Sequence, residues 1–150
     1  MRVISLGAGV QSSAMLLMAL EGRFGDMPDC AIFADTQWEP KAVYAWLDKL
    51  EREVAPFPIH RVTVGNIRAD YLAGAVPSSK INATHFAALP TYVKNPDGTA
   101  GMGRRQCSKE YKIVPLRRKI REMVGLRGTA ESWIGISLDE AHRMRTNDVQ

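Results

Sequence analysis

Apolar and polar positions follow two periods along the chain, and the changes of period outline its elements. Arg2–Leu6 is a short apolar run with β-branched residues, closed by glycines at 7 and 9, and reads as a strand. Residues 11–20 carry helix formers on nearly every face, the pattern of a helix covered on most sides. Residues 22–29 hold Gly, Asp and Pro, which is loop chemistry. Cys30–Ala34 is a second apolar strand. This strand–helix–strand spacing is that of a parallel β-α-β unit of roughly 30 residues. After Pro40, Val43, Trp46, Leu47, Leu50 and Val54 recur at helical spacing, with Lys41, Asp48, Lys49, Glu51 and Arg52 on the other face. Residues 59–64 read as a third strand.

The rhythm breaks over residues 74–106, where Pro77, Pro90, the run Asn95-Pro96-Asp97-Gly98, Gly101 and Gly103 predict a long loop with short helical pieces around 84–88. A loop of this length in a compact domain is expected to serve the active site. Ile113, Leu116, Ile120, Met123 and Val124 then form an apolar stripe on a basic helix, which Pro115 kinks or restarts. A last short strand is expected over 131–136 and a helix from 137 to 143. The alternation of strands and helices predicts an α/β fold, a three-layer sandwich with a mostly parallel sheet of Rossmann-like type. The final helix has barely formed when the sequence reaches Gln150. Either the sequence is a longer protein cut short, or it ends in a frayed helix.

Composition narrows the classes. A chain of 150 residues, 45% hydrophobic and 24% charged, is expected to form one domain over 1–150 rather than a disordered chain. Its longest apolar run, residues 14–20, is too short to span a membrane, and the amino terminus lacks a secretory signal pattern. Two cysteines make no disulfide framework, no Cys/His cluster has zinc spacing, and no metal site is assigned. The cytoplasm is the expected compartment. Charge is uneven. Residues 104–127 hold nine basic residues against two acidic ones, a balance of +7 in a chain of net charge +4. Such a field suits an anionic partner, a nucleotide or a nucleic acid; a solvated helix face is the plainer alternative.

The candidate chemistry lies first in Ser5-Leu6-Gly7-Ala8-Gly9-Val10-Gln11-Ser12-Ser13, between a strand and a helix. Small residues let backbone N–H groups approach an anion, and the helix start adds unpaired N–H groups and a positive dipole end. Ser12 and Ser13 add hydroxyls. The alternative is a tight turn that needs glycine only for its backbone angles. The Walker pattern is absent. The dinucleotide pattern is closer, with Gly7, Gly9 and Ser12 in register and Asp35 closing the second strand, but its third position is Ser.

Four elements together resemble a known family. Residues 7–13 are similar to the S-G-G-x-D-S pyrophosphatase loop of the adenine nucleotide α-hydrolase (PP-loop ATP pyrophosphatase) superfamily. Phe33-Ala34-Asp35-Thr36 with Glu39 resembles the second-strand element of its phosphoadenosine phosphosulfate reductase branch. Arg105-Gln106-Cys107-Ser108, followed by Lys112 and Pro115, resembles that branch's R-x-C-[ST] element. Trp133-Ile134-Gly135-Ile136 with Asp139, Glu140 and Arg143 resembles its G-I-x-x-D-E-x-x-R element. The likeness covers most of the chain and is to phage- and prophage-type members. It implies an adenine nucleotide, ATP or an adenylyl sulfate, at the carboxyl ends of the strands. It implies Ser5, Gly7, Ala8, Gly9, Gln11, Ser12, Ser13, Ala34, Asp35, Thr36, Gly135 and Ile136 as binding residues. Arg105, Cys107 and Lys112 follow as catalytic candidates. The family's reactions are AMP-forming cleavage of ATP and reduction of an adenylyl sulfate.

The departures from the pattern bear on the reaction. The loop's first Ser is Gly7 here and its Asp is Gln11, which cannot bind Mg²⁺ as a carboxylate does. No cysteine follows Cys107, and an iron–sulfur cluster needs paired cysteines. Binding therefore carries over better than either reaction. A binding module without catalysis and a dinucleotide-dependent oxidoreductase stand as alternatives. Arg105 and Lys112 suit phosphate or sulfate oxygens. Cys107, between Arg105 and Lys109, is either a thiol of lowered pKa or a small packing residue. Asp35 and Glu39 suit ribose or Mg²⁺, and Asp35 alternatively caps the next turn. Ser137 and Glu140 have capping-box spacing. His60, His85 and His142 share no metal spacing, Cys30 reads as core, and Trp38 and Trp46 as packing. The acceptor is not legible, a homodimer is left open, and no membrane partner is expected.

Overall fold

A computed structural model describes residues 1–73, 92–102 and 108–143. In chain order the elements are β1 (Arg2–Leu6), α1 (Val10–Leu20), β2 (Cys30–Ala34), α2 (Lys41–Glu53), β3 (Ile59–Val62), α3 (Ile67–Ala73), β4 (Tyr92–Lys94) and β5 (Ala100–Met102). A π-helical segment (Ser108–Ile113), α4 (Val114–Val124), β6 (Glu131–Ile134) and a 3₁₀ segment (Leu138–Arg143) follow. Four strands form a parallel sheet in the order β3-β2-β1-β6. Leu6 lies opposite Phe33, Ser5 opposite Ile134, and Ala34 opposite Val62.

Strand alternation builds the two sides of this sheet. Ile4, Leu6, Ala31 and Phe33 pack with Leu16 and Ala19 of α1 and Leu47 and Leu50 of α2. Val3, Cys30 and Ile32 take the other face, against Leu116, Ile120 and Met123 of α4. The central strands are buried on both faces, which is why their sequences are continuous apolar runs. Each fully buried Ile, Leu or Phe contributes roughly 1.5–3 kcal/mol, so these two layers dominate the stability. The result is the expected Rossmann-like three-layer sandwich. β6 reaches the sheet after α4 and lands beside β1, opposite β2. The strand order therefore reverses at β1, and open α/β sheets bind ligands outside the carboxyl ends of strands at such a reversal.

Several elements differ from the sequence expectation. α1 buries Ser12, Ser13, Leu16 and Ala19 but leaves Val10, Leu17 and Met18 exposed, so it is covered on one side only among the described residues. α3 lies where no helix was expected; Asn66 accepts the N–H groups of Arg68 and Ala69 and so caps its start. The expected loop over 74–106 contains the antiparallel pair β4–β5, turned by Asn95–Gly98 with Gly98 at φ 85°. The helical pieces expected around 84–88 fall outside the described residues. Pro115 stands in the first turn of α4, so it marks a fresh start after the π-helical segment. The segment after β6 is 3₁₀ rather than α, and its Leu138 is solvent-exposed. Among the described residues no helix is long and apolar enough to cross a membrane.

Candidate functional site

The turn between β1 and α1 stands at the carboxyl end of β1. Its one left-handed residue is Ala8, at φ 53°, and neither Gly7 nor Gly9 has a positive φ. Among the described residues, a Cβ on Gly9 meets nothing within 4 Å, and one on Gly7 meets only the Ser12 hydroxyl at 3.8 Å. Among the described residues, neither a positive φ nor packing requires glycine at 7 or 9. Gly9 is the N-cap of α1, with φ −86° and ψ 176°, and no side chain caps this end. Helix-start N–H groups are left without an intrahelical partner.

The two serines serve the turn itself. Ser12 Oγ accepts from Gly7 N at 3.1 Å and donates to the Gly9 carbonyl at 3.3 Å. Ser13 is buried and accepts from the Trp46 indole at 2.9 Å. Trp46 therefore does more than pack: it ties α2 to the first turn of α1. Its stripe position on α2 explains its partial burial, and its N–H is a polar handle that finds a partner in Ser13.

Gly135, at the carboxyl end of β6, presses on the same turn. A Cβ there would lie 2.8 Å from both Gln11 C and Ser12 N. Only glycine lets the strand end pass so close to the helix start. The Gln11 amide donates to Ser137 Oγ at 3.5 Å, closing the contact from the side. Gly135 and Ile136, with Gln11, Met15, Met18, Phe24 and Ile134, line a cavity of about 300 Å³ beside α1. Ser5 lies one strand position before the turn's approach, between Ile32 and Ile134.

At the carboxyl end of β2 the construction is different. Asp35 Oδ1 accepts from Gln37 N at 2.7 Å and from the Tyr44 hydroxyl at 2.8 Å, so Asp35 does cap the turn that follows it. Gln37 sits at φ 57°, held by that bond and by Asn66, whose amide donates to the Gln37 carbonyl. Buried Thr36 donates to Glu39 Oε1 at 3.1 Å, and Glu39 N donates to the Tyr44 hydroxyl. Burial, with Asp35 adding to it, raises the Tyr44 phenol above its ordinary value of 10.0. Ala34 is buried in the strand just before this network. Tyr44 was not legible as a site residue; its position off the apolar stripe of α2, in the first turn, was the available signal.

The π-helical segment joins this network. Lys112 Nζ reaches Glu39 Oε1 at 3.0 Å, which brings a residue some seventy positions later in sequence to the carboxyl end of β2. Beside it the buried Tyr111 donates to Asp70 Oδ2 on α3 at 2.8 Å. Burial, reinforced by Asp70, pushes the Tyr111 phenol well above its ordinary value. Arg105 and Cys107 fall outside the described residues. Cys30 is a buried free thiol, raised in pKa by that burial, as expected of a core residue. Glu140 N donates to the Ser137 carbonyl at 3.0 Å. Among the described residues no group of three or more His, Cys, Asp or Glu is placed to hold a metal ion.

The sheet thus brings residues 7–13, 34–39, 112, 135 and 136 to its carboxyl edge. Compared with protein-family models, curated proteins and solved structures, the chain matches none.

Proposed function

We propose that the chain binds the phosphate or sulfate groups of an adenine nucleotide, ATP or an adenylyl sulfate, at the turn of residues 7–13. The observation that carries this is the pair Gly7 and Gly9: among the described residues neither backbone angle nor packing demands glycine and no side chain caps the helix start they border, which lies at the reversal of strand order. A ligand that must approach the backbone supplies the missing demand. The adenine part rests on the resemblance of four sequence elements to the phosphoadenosine phosphosulfate reductase branch. In this reading Lys112 adds a point charge to the bound oxygens, and Asp35 and Glu39 face the ribose side. Arg105 and Cys107 complete the catalytic candidates of that resemblance. Binding is the part of the function that the geometry supports.

Calorimetric titration with ATP, adenylyl sulfate and NAD tests it. ATP or adenylyl sulfate is expected to bind, and Gly9→Val to weaken that binding by about tenfold or more in a protein that still folds, with a midpoint lowered by the poorer N-cap. Equal affinity in a folded Gly9→Val protein puts the site elsewhere. Tighter binding of NAD than of ATP favours the dinucleotide reading, which Asp35 at the end of β2 supports. Release of pyrophosphate from ATP separates an enzyme from a binding module.

A further inference from the structure

Among the described residues the sheet has an open edge at β3, two strands from the glycine turn. β3 pairs with β2 on one side, and among the described residues no strand pairs with its other side. Asp35 N donates to the Val62 carbonyl at 2.7 Å and Ala31 N to the Pro58 carbonyl at 3.0 Å. In a parallel ladder the backbone groups of alternate residues face opposite neighbours. Pro58, His60 and Val62 therefore turn toward β2, and Ile59, Arg61 and Thr63 present N–H and C=O groups outward.

That edge is one wall of a groove of about 410 Å³. Residues 59–63 form this wall, and Pro115, Arg118, Lys119 and Glu122 form the other, from one face of α4. The helix wall is cationic: α4 carries Arg117, Arg118, Lys119 and Arg121 against Glu122 alone. The Arg61 guanidinium is already held by Asp48 and Glu51 on α2. Lys119 is held by Glu122 at 2.7 Å. Arg118 is exposed and has no acidic partner among the described residues.

We propose that this groove takes up an acidic, extended segment of another protein, which adds to β3 as a further strand. The edge supplies backbone hydrogen bonds and α4 selects the charge. Two other occupants fit less well. A second copy pairing β3 with β3 about a two-fold axis would bring two basic α4 faces alongside each other, and like charges there oppose association. A nucleic acid would use the cations of α4 without engaging the strand's amides.

The test uses the whole chain and a short capped peptide alternating glutamate and valine, with its lysine–valine counterpart as control. The acidic peptide is expected to bind and to slow hydrogen exchange at the Ile59, Arg61 and Thr63 amides by about tenfold or more. Arg118→Glu is expected to weaken it about fivefold, while Arg117→Glu, the same charge change outside the groove, has a smaller effect. The proposal is overturned if the acidic peptide does not bind, if it binds without protecting those amides, or if the lysine–valine peptide binds equally. Protection of those amides without peptide, in a species whose mass doubles with concentration, assigns the edge to a second copy. Binding of a short RNA oligonucleotide that displaces the peptide and leaves the amides unprotected assigns the groove to nucleic acid.

Discussion

The loops that leave β1 and β2 sit side by side at the carboxyl edge of one sheet and are built in opposite ways. The loop after β1 is made of backbone and leaves space: two glycines border an uncapped helix start, and its serines bond inward. The loop after β2 is filled by side chains that satisfy one another, from Asp35 and Tyr44 through Thr36 and Glu39 to Lys112. The second loop is explained by the protein alone. Among the described residues the first is not, and the proposed ligand site rests on that difference. Gly135 supplies the contrast within the first region, since there the protein itself demands glycine.

The largest effect expected is therefore structural. Gly135→Ala would put a Cβ 2.8 Å from backbone atoms of Gln11 and Ser12, neither of which can rotate away. Either β6 or α1 must shift, and overpacking of this sort costs about 2–3 kcal/mol, a large share of a small domain's stability. Urea unfolding should show it as a lower midpoint. An unchanged midpoint would mean that β6 and α1 are not packed as described.

Gly9→Asp breaks the comparison from the other side. The backbone at Gly9 already has N-cap angles and room for a side chain. A carboxylate there would cap α1 and favour its dipole, adding about 0.5–1 kcal/mol of stability. The same carboxylate would occupy and charge the proposed anion site. Thermal unfolding should rise while ATP affinity falls by about a hundredfold. A gain in stability with affinity intact would return Gly9 to a simple turn residue.

How far the sequence discloses these regions depends on what holds each one. β1, β2, α2 and α4 are legible because burial on the sheet writes itself as apolar runs and stripes, such as Leu47 and Leu50 or Leu116, Ile120 and Met123. The glycine turn is legible as a connection because Gly7 and Gly9 interrupt the apolar run between β1 and α1. α3 escapes because it buries only Ile67, although Asn66 was a cap signal before it. The β4–β5 pair escapes because its strands are three residues each, and only the Asn95–Gly98 turn marks it. Least legible is the network after β2. Asn66 and Tyr111 join it through contacts over long sequence separations and Tyr44 by reaching back to Asp35 and Glu39, and no local period encodes those.

Tyr111→Phe tests whether that network is self-sufficient. It removes the bond to Asp70 at 2.8 Å and should cost about 1 kcal/mol near neutral pH. The Tyr111 phenol is raised in the folded protein, so the native state holds its proton more tightly than the unfolded state does. Its contribution is fully present below the ordinary value of 10.0 and is lost as pH rises beyond it. The stabilities of wild type and Tyr111→Phe should therefore converge in alkaline solution, with Tyr44 leaving some slope in both. Chemical unfolding followed on either side of that value checks it. Parallel curves would show that the phenol does not ionise differently on folding.

The smallest effect asks whether the filled loop also serves the open one. The Lys112–Glu39 pair is half exposed on the lysine side, so breaking it costs well under about 1 kcal/mol. Glu39→Gln keeps an oxygen for Thr36 but removes the charge that holds Lys112. If Lys112 reaches the phosphates bound at the glycine turn, its release from Glu39 should tighten ATP binding about two- to fivefold. Lys112→Ala should then loosen it, by about tenfold for a charge-assisted contact. Paired titrations of the two variants at matched salt give opposite signs in that case. If neither variant moves the affinity, Lys112 is a tie between the π-helical segment and the β2 loop, and the two neighbouring loops do not share a ligand.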